Sequence, residues 1–301
     1  MKVINRIWAL LLLPALTACG NKQNPDTPPE PSPVQAKITV MSFNVRSSTI
    51  TEASEERYWS NRKAAVRNMV NEVKPDVMGM QEATTQQRSD LKSLLPDYAL
   101  FEVPNTGGSK GGNTVLMYNT QVLEAVQCKS FYLSSTPDKQ SVNGWNEETQ
   151  YRTTIWAQFK HKASGKTFFV ADTHMPLGSE ARDNTARVNS AKLNVQRMQK
   201  AAGDDAVVFI LGDMNCKNAS DGVRNEGLIP YYEWMSSARE KAVKTDSAKS
   251  YNAWGTSSGS IIDHIFYRNA IVSQFTTVNG TGYGVTYISD HYPIVAYATL
   301  L

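Results

Sequence analysis

Cysteine is scarce: there are 3 in 301 residues, and Cys19 lies in a leader segment. Cys128 and Cys216 could form one bridge at most, which is no disulfide framework. Among these residues and the 4 histidines there is neither a His-x-x-x-His nor a Cys-x-x-Cys spacing, and that removes the usual zinc sites. Charge excess is missing too. A net charge of +3 does not by itself demand nucleic acid or an anionic membrane. The apolar run 7–13 falls short of the roughly 20 residues a spanning helix needs. No phosphate loop is present either. The glycine-rich stretch 107–112 lacks the Gly-Lys-Ser/Thr ending and precedes a strand-like run at 115–118, where a phosphate loop would open a helix.

What is present begins with an address. Lys2 and Arg6 precede the run 7–13, and Leu16-Thr17-Ala18-Cys19 follows, the layout of a signal peptide. The Leu-Thr-Ala-Cys ending resembles the bacterial lipobox, which makes Cys19 the expected site of lipidation and residues 1–18 the leader. Residues 19–35, rich in proline, read as an extended tether. The protein is therefore expected in the cell envelope, held to the membrane by the lipid on Cys19. Residues 36–301 show no second linker or repeat and fit one domain, expected as a monomer. With 41% hydrophobic and 20% charged residues, the composition is that of an ordinary globular protein.

Patterning along this domain alternates strands with helices. Residues 38–44 read as a strand ending on Asn44. Ser60 is placed as a helix N-cap, and Val66, Met69, Val70 and Val73 repeat at helical spacing before Pro75. A second strand begins at 76–80 and runs into Gln81 and Glu82, and Leu91, Leu94 and Leu95 mark another helix. Residues 154–160 and 168–171 form a hairpin; its return strand ends in Asp172-Thr173-His174, and His161 at the turn is expected to be exposed. A helix over 187–202 ends before Gly203. The apolar run 207–211 then stops at Gly212-Asp213-Met214-Asn215. If the extension persists, Asp213 and Asn215 point the same way. Residues 261–267 read as a strand in which His264 faces away from Asp263 and packs. Further strands lie near 274–278 and at 294–298, the last just after Ser289-Asp290-His291.

Polar residues thus close several strands: Asn44, Glu82, His174, Asp213 with Asn215, and Asp290 with His291. A sheet aligns strand ends on one rim, which is how active sites gather residues from distant sequence positions. Carboxylates with an amide make a hard, oxygen-rich site suited to Mg²⁺ or Mn²⁺. Histidines beside such a site suit proton transfer near neutral pH.

Met41-Ser42-Phe43-Asn44, Met80-Gln81-Glu82, Thr173-His174, Gly212-Asp213-Met214-Asn215, Ile262-Asp263 and Ser289-Asp290-His291 together resemble the endonuclease/exonuclease/phosphatase superfamily, in its order and over nearly all of the domain. The resemblance implies an α/β four-layer αββα sandwich, with two mixed sheets packed face to face and helices outside. It also implies a divalent-metal-dependent phosphoester hydrolase. Glu82, Asp290 and Asn44 would hold the metal. His291, oriented by Asp263, would act as base or stabilise phosphoryl charge, and Asp213 would position or deprotonate the attacking water. Asn215 would hold that water or a phosphate oxygen, and His174 and Arg152 would bind phosphoryl oxygens. One departure stands out. Many relatives read Asn-Thr-His-x-Asp-His where this chain has Asp172-Thr173-His174-Met175-Pro176-Leu177.

The favoured substrate is a small-molecule or lipid-derived phosphoester, with Trp59, Trp145 and Tyr151 as candidate rim aromatics. A nuclease is the nearest alternative; it would gather Arg57, Arg62, Lys110 and Arg152 on one basic face. A non-catalytic ligand-binding lipoprotein is the alternative outside enzymes, although this chain keeps the metal-binding Glu and the terminal Asp-His. A serine hydrolase fits worst. Gly255-Thr256-Ser257-Ser258-Gly259 matches the nucleophile-elbow spacing but runs into a strand, where an elbow opens a helix.

Overall fold

Two six-stranded mixed sheets make up the fold, each built around one parallel pair. The computed structural model describes residues 35–103, 113–140, 144–145, 151–218 and 223–301. The leader, the lipidation site Cys19, the tether up to residue 34 and the stretch 107–112 lie outside the described residues.

In the first sheet, β1 (Lys37–Asn44) leads through α1 (Trp59–Val73) to β2 (Val77–Ala83). After α2 (Thr85–Leu94) come β3 (Tyr98–Glu102) and β4 (Asn113–Asn119). The second sheet begins with β5 (Leu123–Tyr132), β6 (Thr153–His161) and β7 (Thr167–His174), and α3 (Ala181–Ala202) crosses over to β8 (Val207–Asp213). The short α4 (Ile229–Trp234), β9 (Ser236–Ser237) and α5 (Ala238–Lys241) precede β10 (Asp263–Arg268), and β11 (Ala270–Thr277) and β12 (Ile294–Leu300) return to the first sheet. The strand orders are β11-β12-β1-β2-β4-β3 and β5-β6-β7-β8-β10-β9. The expected sandwich of two mixed sheets with helices around them is the observed fold. No helix among the described residues is long and apolar enough to cross a membrane.

Period-two alternation explains how this frame makes a site. The face of β1 turned to the other sheet carries Ile38, Val40, Ser42 and Asn44, and that of β7 carries Phe168, Val170, Asp172 and His174. On β8 the same face reads Val207, Phe209, Leu211 and Asp213. Each series is apolar at one end, where it builds the inter-sheet core, and polar at the other. Burial of the apolar ends contributes roughly 1.5–3 kcal/mol per large side chain, so the polar ends are carried by the rest of the sandwich. The alternate residues, such as Met41 and Phe43 or Val208 and Ile210, pack beneath the helices.

Several local expectations need correction. Helix α1 begins at Trp59 with Tyr58 as its N-cap, so Ser60 lies inside the first turn. The stronger cap is at α2, where Thr84 and Gln87 form a reciprocal capping box. His161 is buried, with Nδ1 against Ser164 Oγ at 2.8 Å; the hairpin turn folds back over its ring. Trp59 is buried as well, its indole N–H donating to Asp90. Cys128 and Cys216 are both free thiols.

Candidate active site

The polar strand ends converge on a cavity of about 590 Å³. Glu82, Asp213, Asn215, Asp290, His291, His174 and Arg152 all line it. Asn44 lies just beneath, and Asp263 is buried behind His291. Every residue expected at the site is therefore at one place. The candidate rim aromatics Trp59, Trp145 and Tyr151 are not among the lining residues; Trp59 and Trp145 pack into the layers under the helices, and Tyr151 stacks toward Tyr132.

Asp213 Oδ2 is the hub. It accepts from Asn44 Nδ2 at 3.0 Å, and His174 Nε2 and His291 Nε2 stand 3.5 and 3.7 Å from it. The antiparallel register sets Asp263 opposite Asp213, and Asp263 Oδ2 accepts from His291 Nδ1 at 2.8 Å. Ser250 Oγ accepts from the Ile262 and Asp263 amides and fixes that strand end. Burial by itself lowers the His291 pKa, but Asp263 and Asp213 outweigh it and carry the imidazole up to about 10. Burial pushes Asp213 up to about 7, with His291 opposing and Asp263 adding to the rise. His174 is held neutral by burial, and Arg152 and His291 reinforce the effect. Its Nε2 accordingly accepts from Arg152 Nη1 at 2.7 Å.

Glu82 stands apart on the first sheet. A bulge between Met80 and Ala83 puts it at φ 63°, so its carboxylate leaves the strand's alternation. Arg46 (φ 58°) and Asn215 (φ 49°) share this left-handed backbone, which costs a non-glycine residue about 1–3 kcal/mol and clusters at functional sites. The strand's extension thus stops at Asp213, yet Asn215 reaches the cavity: its N–H donates to Asp213 Oδ1 and its Nδ2 to Met175 O. Gly212 (φ 149°) makes this turn possible, because a Cβ there would stand 1.8 Å from the Thr173 carbonyl oxygen.

Two groups compete as a cation site. Asp213, Asp263 and His291 offer ligand atoms within 4.8 Å of one another, but both ring nitrogens of His291 already face carboxylates, Nδ1 at 2.8 Å from Asp263 and Nε2 at 3.7 Å from Asp213. Glu82 and Asp290 fit better. Glu82 accepts from Asn44 Nδ2 (3.2 Å) and Ser47 N (2.9 Å), and Asp290 from Ser289 Oγ (3.2 Å) with Arg46 Nη1 3.3 Å from its Oδ2, which still leaves each carboxylate lone pairs for a hard cation. Asn44 itself has its Oδ1 engaged by Arg46 N at 3.0 Å, so it bridges the two carboxylates Glu82 and Asp213.

Sequence patterning missed what holds these loops. Arg62 is fully buried between Trp59 and Trp254, and burial lowers its pKa to about 10. It donates to the carbonyls of Val45 and Ile288 at 3.0 and 2.6 Å, tying the chain after Asn44 to the chain before Asp290. Of Arg57, Arg62 and Arg152, only Arg152 lines the cavity; Lys110 lies outside the described residues. Ser257, the elbow candidate, is exposed in a turn, where it accepts from Gly259 N. His264 packs as expected, with Nε2 on the Cys216 carbonyl.

Asp172 is also new. Its Oδ1 accepts from Gln81 Nε2 at 2.5 Å, while Asp172 Oδ2 and Gln81 Oε1 have no hydrogen-bond partner among the described residues. Burial raises its pKa well above the usual carboxylate value, which favours the protonated carboxyl at this place. A carboxyl raised in the fold stabilises least above its folded pKa, so stability falls as pH climbs from about 4 toward that value. Asp172→Asn does not titrate and is expected to gain about 1–3 kcal/mol over wild type at pH 8, with a smaller gap at pH 5. Urea unfolding at the two pH values reads this directly. A variant weaker at both would mean that the ionised carboxylate is used.

A sequence model described as the Endonuclease/Exonuclease/phosphatase family matches residues 41–291. Among solved structures, an endonuclease/exonuclease/phosphatase from Bacteroides vulgatus is similar with a TM-score of 0.78 and 26% identity, covering 89% of this chain and 100% of that one. A mannosyl-6-phosphatase from Bacteroides thetaiotaomicron gives a TM-score of 0.75 at 25% identity, covering 87% and 99%. An uncharacterized protein of Acanthamoeba polyphaga mimivirus is 21% identical over 273 residues, 86% of this chain and 98% of its own length.

Proposed function

Because this chain belongs to the endonuclease/exonuclease/phosphatase family, whose members hydrolyse phosphoesters, we propose that it is a divalent-metal-dependent hydrolase of small phosphate esters. The observation that carries this reading is the Asp213 hub. A carboxylate raised to about 7 stands 3.7 Å from an Asp-paired histidine, in one cavity with Glu82 and Asp290. A base with that pKa removes a proton from water most effectively near neutral pH.

Glu82 and Asp290 hold the cation, Mg²⁺ or Mn²⁺, which when bound supplies charge stabilisation at the phosphoryl oxygens. Asn44 orients Glu82 and Asp213 through its two hydrogen bonds. Asp213 takes the proton of the attacking water, which Asn215 helps to place. His291, kept protonated by Asp263, donates to charge developing on the phosphoryl group. Arg152 and neutral His174 meet another oxygen from the second sheet. No side-chain nucleophile is required.

Size favours a small substrate. A cavity of about 590 Å³ falls in the roughly 300–1,000 Å³ range of small-molecule sites. Ile50, Leu177 and Ile262 give its rim an apolar component beside Lys217 and Tyr251. The similar mannosyl-6-phosphatase makes sugar phosphates the first class to try. We place the enzyme in the cell envelope on the lipobox-like ending at Cys19. The test compares hexose phosphates, glycerophosphodiesters and plasmid DNA with Mg²⁺ present. Turnover of a small ester well above nicking of DNA is the expected result; efficient DNA cleavage with no small-ester turnover would replace this reading with a nuclease.

A further inference from the structure

Arg46 has no role in the scheme above, yet its geometry is specific. It lies two residues beyond Asn44, at φ 58°, with its own N–H donating to Asn44 Oδ1. That turn sends the side chain back over the strand end, and it lines the cavity. Glu52 Oε1 takes Nε at 2.8 Å, and Nη1 lies 3.3 Å from Asp290 Oδ2. A guanidinium carries donors on all three nitrogens. Nη2 has no partner among the described hydrogen bonds. Glu52 is itself almost wholly buried, its side chain 6% exposed, so the arm is anchored from behind.

Arg152 enters the same cavity from the start of β6 on the other sheet. The cavity thus offers an anion three kinds of contact: the cation that Glu82 and Asp290 would hold, the Arg152–His174 pair, and Arg46, which is ion-paired to Asp290. A phosphate monoester has three non-ester oxygens and a diester only two. The third oxygen of a diester carries its second organic group, which would leave Arg46 without a charged acceptor.

Resting on the phosphoester reading, we propose that Arg46 is a specificity-determining phosphate arm that makes the site prefer monoesters over diesters. Glu52 holds it in place, and Asp290 occupies Nη1 until the phosphate arrives. The dianionic charge of a monoester strengthens the same preference, because Coulomb attraction scales with ligand charge.

The experiment uses the full chain with Mg²⁺, and p-nitrophenyl phosphate against bis(p-nitrophenyl) phosphate, which share a leaving group. Arg46→Met is expected to lower monoester kcat/KM by roughly 10- to 100-fold, the effect of one hydrogen bond to a charged group. Diester kcat/KM should change by less than about 3-fold, the low end of what one neutral hydrogen bond contributes. Arg46→Lys restores charge without the fork and should recover part of the monoester loss. Inorganic phosphate should bind Arg46→Met more weakly by a similar factor, while Mn²⁺ affinity is kept or tightened. Equal loss on both esters together with weakened Mn²⁺ binding would overturn the proposal and make Arg46 a support of the cation site. If wild type turns over neither ester, the proposed function fails; phosphate calorimetry then decides Arg46 alone, with unchanged binding in Arg46→Met counting against it.

Discussion

His291→Asn is expected to lower kcat/KM by about 10³-fold, within the range for removing a positioned acid or base. Asn keeps a donor for Asp263 in the place of Nδ1 and removes the ring edge that carries Nε2, so what is lost is the group facing Asp213. Three features set the size of the effect. His291 is buried, Asp263 fixes one ring nitrogen at 2.8 Å, and the other faces the Asp213 hub. Without the imidazolium, charge on the phosphoryl group loses a pre-aligned donor. Circular dichroism should show an intact fold. A rate within tenfold of wild type would remove His291 from the mechanism.

Glu82→Gln should be nearly as damaging, with a different signature. Gln preserves the shape but has one acceptor where Glu82 uses two, Oε1 for Asn44 Nδ2 and Oε2 for Ser47 N, so it keeps only one of these contacts. What it lacks is the charge that draws a divalent cation against water. Turnover at the Mg²⁺ concentration that just saturates wild type is expected to fall by about 10²–10³-fold, comparable to losing a single electrostatic stabiliser of the transition state. Raising Mg²⁺ should recover part of it. That recovery separates Glu82 from His291, whose loss no metal concentration repairs. A Glu82→Gln enzyme with wild-type rates and EDTA sensitivity would contradict the assignment.

The sandwich was legible through the family resemblance of the strand-end motifs, while the strands themselves showed as short apolar runs closed by polar residues. That pattern delivered Asn44, His174 and Asp213 to one rim. Glu82 lies beyond what alternation determines. Its reach depends on a bulge and a left-handed φ, and only its place in the Met80-Gln81-Glu82 motif pointed to it. Arg46 had no motif signal; its direction is set by one backbone angle that no periodicity encodes. Arg62 escaped for another reason. Charged residues are rarely fully buried, and nothing local announces that two tryptophans from distant segments will enclose this one. His161 was misplaced because a hairpin turn normally exposes its residues, whereas this one is covered by its neighbours.

Glu82 and Asp290 would hold the divalent cation, and the Asp213–Asp263–His291 group would move protons. Calorimetric titration of Mn²⁺ into wild type, Glu82→Gln and Asp263→Asn tests this assignment without any substrate. One ion per chain should bind wild type and Asp263→Asn alike, with binding largely lost in Glu82→Gln. Binding that survives in Glu82→Gln but disappears in Asp263→Asn would move the cation to the buried Asp-Asp-His group and contradict the account.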